Sequence, residues 1–333
     1  MSESPVFSIG SPLQPRLPGD VVPYGRLVQR SGAHRMWFGQ SRLIETQQII
    51  SFMAGMGIRI PYGSGVSLTA LRHPYDAAVA ANSIATLTGH PYTAGYGAAH
   101  PGFVRGLRGR PYDSPRKAAA EYADLMRRLL SGEEVAFEGE YFFHQGLEPL
   151  EGGGDVEVGL GVLRPRMAAA AGRIADVAIT WLTPPAYLRS VIAPELRKGA
   201  VGRESAPRIA TMVQIAVRRP GRDPVELADL CAGLHLRAPH YRAMLAEAGI
   251  GLGDGSRDSA AALVDSGVFL YGSPEEIASG LREYHAAGVQ EVVLKATGPH
   301  MGEGLRPAID DLIAVLTCLR LMDDADSGKA GKA

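Results

Sequence analysis

Residues 156–181 combine the features of a phosphate-binding turn. The run VEVGLGV is rich in β-branched residues, LRPR follows it, and an alanine-rich stretch then leads to VAITW. This order predicts a strand, a turn, a helix and a second strand parallel to the first. Gly161, Arg164 and Arg166 lie just before the predicted helix, where free N–H groups, the helix dipole and guanidinium groups favour an anion. The alternative is an ordinary turn with two solvated arginines.

Acid–base and metal chemistry have few candidates. Of the nine histidines, His100 follows a glycine-rich strand end (TAGYG) and is the best placed for proton transfer. No His-x-x-x-His pair or carboxylate-rich strand end is present, so no metal site is predicted. A serine nucleophile is unsupported because no Gly-x-Ser-x-Gly elbow occurs. Cys231 and Cys318 lie far apart in sequence, which indicates a reducing compartment rather than a disulfide framework.

Composition excludes several classes of protein. With 46% hydrophobic and 21% charged residues, the 333-residue chain has the composition of a globular protein with a large core. The net charge of −1 gives no basic field for nucleic acid or an acidic membrane. No apolar run approaches the roughly 18 residues that span a bilayer, and the N-terminus does not resemble a signal peptide. We therefore expect a cytoplasmic protein with no nucleic-acid or membrane partner. The expected substrate is a small molecule or a modified peptide.

The elements that must position these residues alternate between strand and helix. The pattern predicts strands at 5–13, 34–39, 58–62, 92–96, 156–162, 177–181, 208–218 and 289–295. Helices are predicted at 21–33, 43–56, 73–87, 167–175, 186–198, 225–249 (broken at Pro239), 258–265 and 305–322, with others opening at Ser114-Pro115 and at the capping box of 273–276. Residues 101–112 are predicted to form a loop, 132–142 a hairpin and 151–155 a linker.

About eight such cycles predict a single (β/α)8 TIM barrel over residues 1–322, with a disordered polar tail at 323–333. An open doubly wound sheet is the alternative, but its Gly-x-Gly-x-x-Gly opening is absent. In a barrel the active site lies at the C-terminal ends of the strands. Glycine recurs at several of these ends, which allows a flat ligand to approach the backbone, although glycines also simply make short turns.

Four segments resemble the luciferase-like flavin and deazaflavin oxidoreductases. They are RHPYDAAVAANSIATLTG (72–89), SPRKAAAEYADLMRRLLSGEEVAFEGEYF (114–142), GLGVLRPRMAAAAGRIADVAI (159–179) and GSPEEIASGLREYHAAGVQEVVL (272–294). The resemblance covers nearly the whole folded chain. The resemblance implies a barrel with coenzyme F420, or alternatively FMN, bound across its mouth. It also raises the expectation of a homodimer, but the sequence identifies no interface.

The resemblance also implies positions for the cofactor. A bulge with a non-prolyl cis peptide bond, at Ser64–Gly65 or Gly65–Val66, would support the ring, and the phosphate would lie on the turn after 161. The cofactor-binding set is Trp37, Gly63, Ser64, Gly65, Val66, Gly95, Gly97, Gly161, Val162, Leu163, Arg164 and Arg166. For Trp37 the alternative is packing inside the barrel. Arg164 replaces a glycine that is usual in the family.

Two departures from the family pattern narrow the range of reactions that we expect. Family members that oxidise a sugar phosphate have a histidine and a glutamate where this chain has Gln40 and Ala98, so that activity is not expected. The sequence instead favours an F420-dependent reductase of a C=C or C=N bond in a biosynthetic intermediate, with Gln40 or His100 as the catalytic residues. The alternatives are an FMN-dependent monooxygenase and a non-catalytic ligand-binding barrel. Residues 235–263 are expected to form a lid.

Overall fold

The computed structural model describes residues 6–146, 149–151 and 154–330. Its strands are β1 (Val6–Gly10), β2 (Met36–Phe38), β3 (Tyr62–Ser64), β4 (Ser67–Leu68), β5 (Tyr92–Gly97), β6 (Phe137–Glu138), β7 (Phe143–His144), β8 (Val156–Gly161), β9 (Val177–Trp181), β10 (Arg208–Val217), β11 (Phe269–Gly272) and β12 (Glu291–Lys295). Part of the predicted linker, at 152–153, lies outside the described residues.

The helices surround these strands. They are α1 (Val22–Arg30), α2 (Thr46–Gly55), α3 (Pro74–Thr88), α4 (Pro101–Arg108), α5 (Pro115–Leu130), α6 (Pro165–Ile174), α7 (Pro185–Tyr187), α8 (Ala193–Gly199), α9 (Pro224–Leu236), α10 (Pro239–Glu247), α11 (Ser256–Asp265), α12 (Pro274–Ala286), α13 (Thr297–Glu303) and α14 (Leu305–Ala330). A π-helical turn (Leu188–Ile192) joins α7 to α8. The predicted disorder of the tail stays a prediction: α14 is described through Ala330, and 331–333 lie outside the described residues.

The chain forms a closed barrel of eight parallel strands, as predicted. The order is β1-β2-β3-β5-β8-β9-β10-β12, and β12 pairs with β1 to close the ring. Short β4 pairs with β5 above the barrel, and β10 extends beyond its barrel neighbours to pair with β11. The antiparallel β6–β7 hairpin stands apart from the barrel sheet. All eight strands therefore present their carboxyl ends at one mouth.

Helix starts follow from local sequence. α3, α5, α9 and α12 each begin at a proline, preceded by a residue whose side chain accepts a backbone N–H: His73, Ser114, Asp223 and Ser273. Proline suits the first helical position because its missing N–H would be unpaired there and its φ is already helical. Ser273 also completes the predicted capping box with Glu276.

Three local predictions were wrong. Residues 101–108 are helix α4 rather than loop, because His100 caps an N1 proline as His73 does in α3. The third strand begins at Tyr62 rather than at 58, so the residues that pair with its neighbours lie closer to the mouth than predicted. β11 was not predicted; its residues FLYG are short and pair only with the extension of β10.

An ionic cluster fills the N-terminal end of the barrel. Side chains of alternate strand residues point inward, and at this end they are Arg35, Thr93, Glu157, Arg208 and Glu291. Arg208 joins the two carboxylates, lying 2.6 Å from Glu157 Oε2 and 2.6 Å from Glu291 Oε2. Thr93 donates to Glu157 at 2.6 Å. Most of the inward polar groups thus pair with one another, as burial requires; Arg35 Nε is buried without a hydrogen bond and lies 3.4 Å from Glu291 Oε1.

Above this cluster the interior is apolar. Its buried residues are Trp37, Val177, Ile179, Ala210, Met212 and Val293. A separate and larger core lies between the outer face of the strands and the helices. Charge at one end and hydrocarbon in the middle leave only the C-terminal end of the barrel for a ligand.

We expect Arg208→Met to lower the free energy of unfolding by about 3 kcal/mol, because it removes the cation nearest to both inward carboxylates and leaves them only the longer contacts with Arg35. Urea unfolding at pH 7 measures this. The control is Arg306→Met, whose side chain is 88% exposed and pairs with Asp310 four residues on; it should cost at most about 1 kcal/mol. Equal effects of the two variants would show that the cluster is not a stabilising element.

The same cluster predicts an acid-dependent loss of stability. Burial acts to raise the pKa of Glu157, but the hydrogen bonds and charge of Arg208, with Arg35 and Thr93, outweigh it and lower that pKa to about 2. The unfolded value is about 4.3, so this contribution is complete above pH ~4.3 and is lost as pH falls towards 2. Glu157→Gln should flatten the dependence of unfolding free energy on pH in that window. An unchanged slope would contradict the prediction.

Candidate active site

Glycines form one half of the floor of the mouth, which is the layer of inward-facing residues at the carboxyl ends of the barrel strands. The inward positions at or just beyond the carboxyl ends of β1, β2, β3, β5 and β8 are Gly10, Gly39, Gly65, Gly97 and Gly161. On the neighbouring β9, β10 and β12 the corresponding inward residues are Trp181, Gln214 and Lys295. The floor is therefore flat backbone on one side and carries large side chains on the other.

A bulge after β3 lies in the middle of the flat half. The peptide bond between Gly65 and Val66 is cis, one of the two bonds that the family resemblance implied. Gly65 N–H donates to Phe38 O at 2.7 Å, and Gly95 N–H donates to Ser64 Oγ at 2.9 Å. The bulge is thus bound to the strands on both sides of it.

The glycines at and below the floor fall into two groups; Gly63, Gly95 and Gly161 were predicted cofactor contacts, and Gly39 was not. Gly63 and Gly95 are buried beneath the floor: a Cβ would lie 2.7 Å from the Trp37 ring at the first and 2.1 Å from Ser64 O at the second. Gly39 faces nearly open space, where a Cβ would meet only Gly65 O at 4.0 Å, and at Gly161 a Cβ would make an ordinary contact with the Val66 side chain at 3.4 Å. The absence of side chains at Gly63 and Gly95 permits close packing of the bulge. The absence of side chains at Gly39 and Gly161 leaves a flat surface above the bulge, here called the cradle.

Trp37 lies below the cradle rather than beside it. Its side chain is 1% exposed, and its Nε1–H donates to Glu291 Oε1 at 2.7 Å, towards the ionic cluster. The ring fills the space left by Gly63. The structure thus places this predicted cofactor contact in the supporting layer, and no signal in the sequence separated the two positions.

The two predicted catalytic residues make contacts with the backbone. The Gln40 amide donates to Ser41 O at 2.9 Å and accepts from Leu68 N–H at 3.2 Å, which ties the end of β2 to β4. His100 is exposed, and its Nδ1 accepts from Gly102 N–H at 3.1 Å as the cap of α4. Both shape the mouth, and their part in chemistry stays a prediction.

The predicted phosphate turn joins β8 to α6. Val162 is buried and donates its N–H to Ile179 O at 2.8 Å; Leu163 is half-buried. Arg164 is the residue before the first turn of α6, and its guanidinium pairs with Glu247 at the end of α10. Arg166 is exposed within that first turn. The turn therefore offers backbone donors and two arginines, one already bound to a carboxylate.

Helices α9 and α10 pack over the other half of the mouth; the end of α9, from His235, and all of α10 belong to the segment 235–263 that was predicted to form a lid. His235 stacks on Trp181 with ring centroids 5.0 Å apart, and Tyr241 packs edge-on against His235 at 5.7 Å. Tyr187 donates to Glu247 at 2.9 Å, so α10 is bonded both to α7 and, through Arg164, to the α6 turn.

A polar group beneath α9 and α10 was not predicted from the sequence. Lys295 Nζ lies 5.3 Å from the centroid of the Trp181 ring, and burial lowers the pKa of this lysine to about 8. The side-chain atoms Trp181 Nε1, Gln214 Nε2, His235 Nδ1 and Thr297 Oγ1 are buried without a hydrogen-bond partner among the described residues. The period-2 alternation of Glu291, Val293 and Lys295 was the available signal, because it places all three inside the barrel.

Unpaired buried polar atoms are rare in folded proteins. Of the nine such atoms among the described residues, four lie at this end of the barrel with the Lys295 ammonium group, where a polar ligand or water would complete their hydrogen bonds. The structure thus combines a flat cradle with a polar half. Within the described residues there is no cluster of three or more potential metal ligands, and no helix there is long and apolar enough to cross a membrane.

We expect Glu247→Gln to loosen α10, because it removes the charge that binds Arg164. This exposed pair is worth roughly 0.5–1 kcal/mol, which corresponds to about 2–5-fold faster amide hydrogen exchange in 239–247. Hydrogen-exchange mass spectrometry measures the change. Glu283→Gln, at an exposed position on α12, is the control and should leave α10 unaffected. Unchanged exchange in α10 of the first variant would show that the ion pair does not hold the lid.

Comparison with known proteins agrees with this geometry. An F420-dependent secondary alcohol dehydrogenase, solved with an F420-acetone adduct, has a TM-score of 0.73 at 18% identity, covering 94% of this chain and 99% of that one. The coenzyme F420 dependent tetrahydromethanopterin reductase of Methanopyrus kandleri gives 0.69 at 18% identity over 91% and 99%. An FMN complex of the oxygenating constituent of 3,6-diketocamphane monooxygenase from Pseudomonas putida gives 0.67 at 15% identity over 93% and 97%. These likenesses concern the fold.

Two sequence comparisons cover very different shares of the chain. A 16S rRNA (guanine(1405)-N(7))-methyltransferase of Frankia casuarinae is 30% identical over 128 residues, which is 36% of this chain and 44% of that protein. The chain thus spans less than half the length of that curated relative, and the match says nothing about the whole barrel. The model of the luciferase-like monooxygenases, in contrast, matches residues 7–291. The chain therefore belongs to the luciferase-like monooxygenase family.

Proposed function

We propose that this protein is an F420-dependent oxidoreductase, a reductase that passes hydride from reduced F420 to a C=C or C=N bond of a biosynthetic intermediate. The substrate is a small molecule or a modified peptide. The observation that carries the proposal is the open cradle between Gly39 and Gly161, with the bulge at Gly65–Val66 between them. A flat tricyclic ring fits such a surface because no side chain rises from the glycines.

The residues present fit the whole cofactor. The ring would rest on Gly39, Val66, Gly97 and Gly161, and the phosphate on the backbone N–H groups of Leu163, Arg164 and Arg166 at the start of α6. Bound there, the deazaflavin supplies the hydride, and the barrel supplies orientation and exclusion of water. Gln40 fixes the edge of the cradle through its contacts with Ser41 and Leu68.

Cationic groups favour F420 over FMN. F420 carries carboxylates in its tail as well as a phosphate, and Arg164 and Arg166 both lie at the turn where that tail would leave the ring. Guanidinium groups bind carboxylate and phosphate with two parallel hydrogen bonds. Two of the structural neighbours described above are named as F420-dependent, which supports the same choice.

Reduction fits this mouth better than oxidation of a sugar phosphate. Gln40 and Ala98 stand where that reaction would need a histidine and a glutamate, and neither can remove a proton from an alcohol. The second candidate function, an FMN-dependent monooxygenase, shares the ring and the phosphate, and the FMN complex of a structural neighbour supports it. A non-catalytic ligand-binding barrel is the remaining alternative.

Parallel titrations of the protein with F420 and with FMN test the proposal. We expect micromolar or tighter binding of F420 and weaker binding of FMN. Gly39→Val should weaken F420 binding by at least about tenfold, or 1.4 kcal/mol, because the new side chain rises into the cradle. Its melting temperature should change little, since a Cβ at Gly39 meets no atom within 4 Å except Gly65 O at 4.0 Å.

Gly55→Val on the outer helix α2, where a Cβ also meets nothing, is the matched control and should keep full affinity. A preference for FMN, with turnover that depends on oxygen, would favour the monooxygenase. Binding of neither cofactor would favour the non-catalytic barrel.

A further inference from the structure

We propose that Lys295 is the proton donor of this site: it protonates the acceptor atom adjacent to the one that receives hydride. The inference rests on the proposed function, because it requires a hydride acceptor at the mouth. It supplies the acid for which the sequence offered His100. It also assigns a substrate-contacting role to the half of the mouth opposite the glycine cradle.

The position of Lys295 is set by the barrel. It is the last residue of β12, it faces inward, and its register partner is Gln214 on β10. Its stem crosses the inward face of β1, where Gly10 leaves the space: a Cβ at Gly10 would lie 2.6 Å from Lys295 Cγ. The ammonium group thus reaches over the barrel interior to the Trp181 ring.

The ammonium of Lys295 has no carboxylate partner among the described residues. The inward carboxylates, Glu157 and Glu291, are at the opposite end of the barrel and pair with Arg35 and Arg208. A lysine with a structural role in an interior is normally paired, because an unpaired buried charge is costly. The cation–π contact with Trp181 is the attractive interaction that this structure provides.

The groups that face Lys295 leave it as the available acid. Cys231 and His235, both on α9, interact electrostatically with it. Burial raises the pKa of the Cys231 thiol to about 12, so the thiol keeps its proton. Burial and the charge of Lys295 lower the pKa of His235, so this imidazole is neutral near pH 7. The pKa of Lys295 itself, lowered by burial to about 8, suits an acid that works near neutral pH.

The proton completes the reduction. Hydride forms a new C–H bond at one atom of the C=C or C=N group, and the π electron pair moves to the neighbouring atom. That atom takes a proton from Lys295 Nζ, so the acceptor is reduced by two electrons while F420 is oxidised by two. The neutral amine regains its proton from water at the mouth. Gln214 Nε2 and Thr297 Oγ1, both unpaired, can donate hydrogen bonds to a polar group of the acceptor and orient it.

The titration of Lys295 can be read without any substrate. The chain has five lysines, Lys117, Lys198, Lys295, Lys329 and Lys332, so protein labelled with ¹³C at lysine Cε gives few signals. One signal should titrate near pH 8 and be absent from Lys295→Met. If the Lys295 signal titrates with the others, the proposal is overturned whatever the cofactor.

Kinetics test the role itself, with 2-cyclohexen-1-one as the C=C probe and 3,4-dihydroisoquinoline as the C=N probe. With reduced F420, Lys295→Met should lower kcat by about 10²–10⁴-fold and leave the Kd of F420 unchanged. Lys295→Arg should be as slow, because a guanidinium keeps its proton. Wild-type kcat should fall as pH rises above about 8, and the variants should lack this limb. Added ethylammonium should partly rescue Lys295→Ala.

Lys198→Met is the control, because this side chain is 73% exposed on α8; it should behave as wild type. Wild-type protein that turns over no probe with reduced F420 would overturn both the proposed function and the role of Lys295. Turnover in Lys295→Met at the wild-type rate and with the wild-type pH profile would overturn the role of Lys295 alone. Loss of F420 affinity in that variant would identify a cofactor contact and overturn the proton-donor role.

Discussion

The hydrogen bond from the Trp37 indole to Glu291 connects the two ends of the barrel interior. Glu291 belongs to the ionic cluster, where Arg208 holds its other oxygen at 2.6 Å. The opposite edge of the indole fills the space that Gly63 leaves below the bulge. A hydrogen bond to a buried carboxylate is stronger than a neutral one, so the ring is fixed in height and angle. The floor of the mouth therefore rests on a charged network at the far end of the barrel.

Side-chain size then divides the mouth into two halves. Five neighbouring strands contribute glycine at the level of the floor, and three contribute Trp181, Gln214 and Lys295. The flat half suits a ring that must lie against backbone, while the other half carries the groups that can bond to a polar molecule. Since β12 pairs with β1, Lys295 lies directly beside Gly10. Hydride source and proton source would thus meet along the border between the halves.

The sequence was sufficient for the barrel and for the turn between β8 and α6, because both depend on local signals: alternating elements, and a glycine followed by a proline-initiated helix. The bulge after β3 was expected only from the family resemblance. The sequence was insufficient for Trp37 and Lys295. Both are inward residues, and only the height of a residue along the barrel axis separates the supporting layer from the floor. That height depends on the register between strands, which the composition of short apolar strands does not reveal. The role of His100 as a helix cap was likewise hidden, because residues 101–108 were predicted to be a loop.

Keeping the ammonium group of Lys295 inside the barrel has an energetic cost, and this cost is informative about the role of the lysine. Lowering the pKa of a lysine from 10.5 to about 8 corresponds to about 3 kcal/mol of unfavourable interaction with the charged form. A methionine could fill the same space beside Trp181 without that cost, and replacing buried charge with hydrocarbon of similar volume is often stabilising. The fold nevertheless keeps the charge where four buried polar atoms are also unpaired. Groups that destabilise the protein on its own and converge on one open mouth are explained most simply by a ligand that binds all of them.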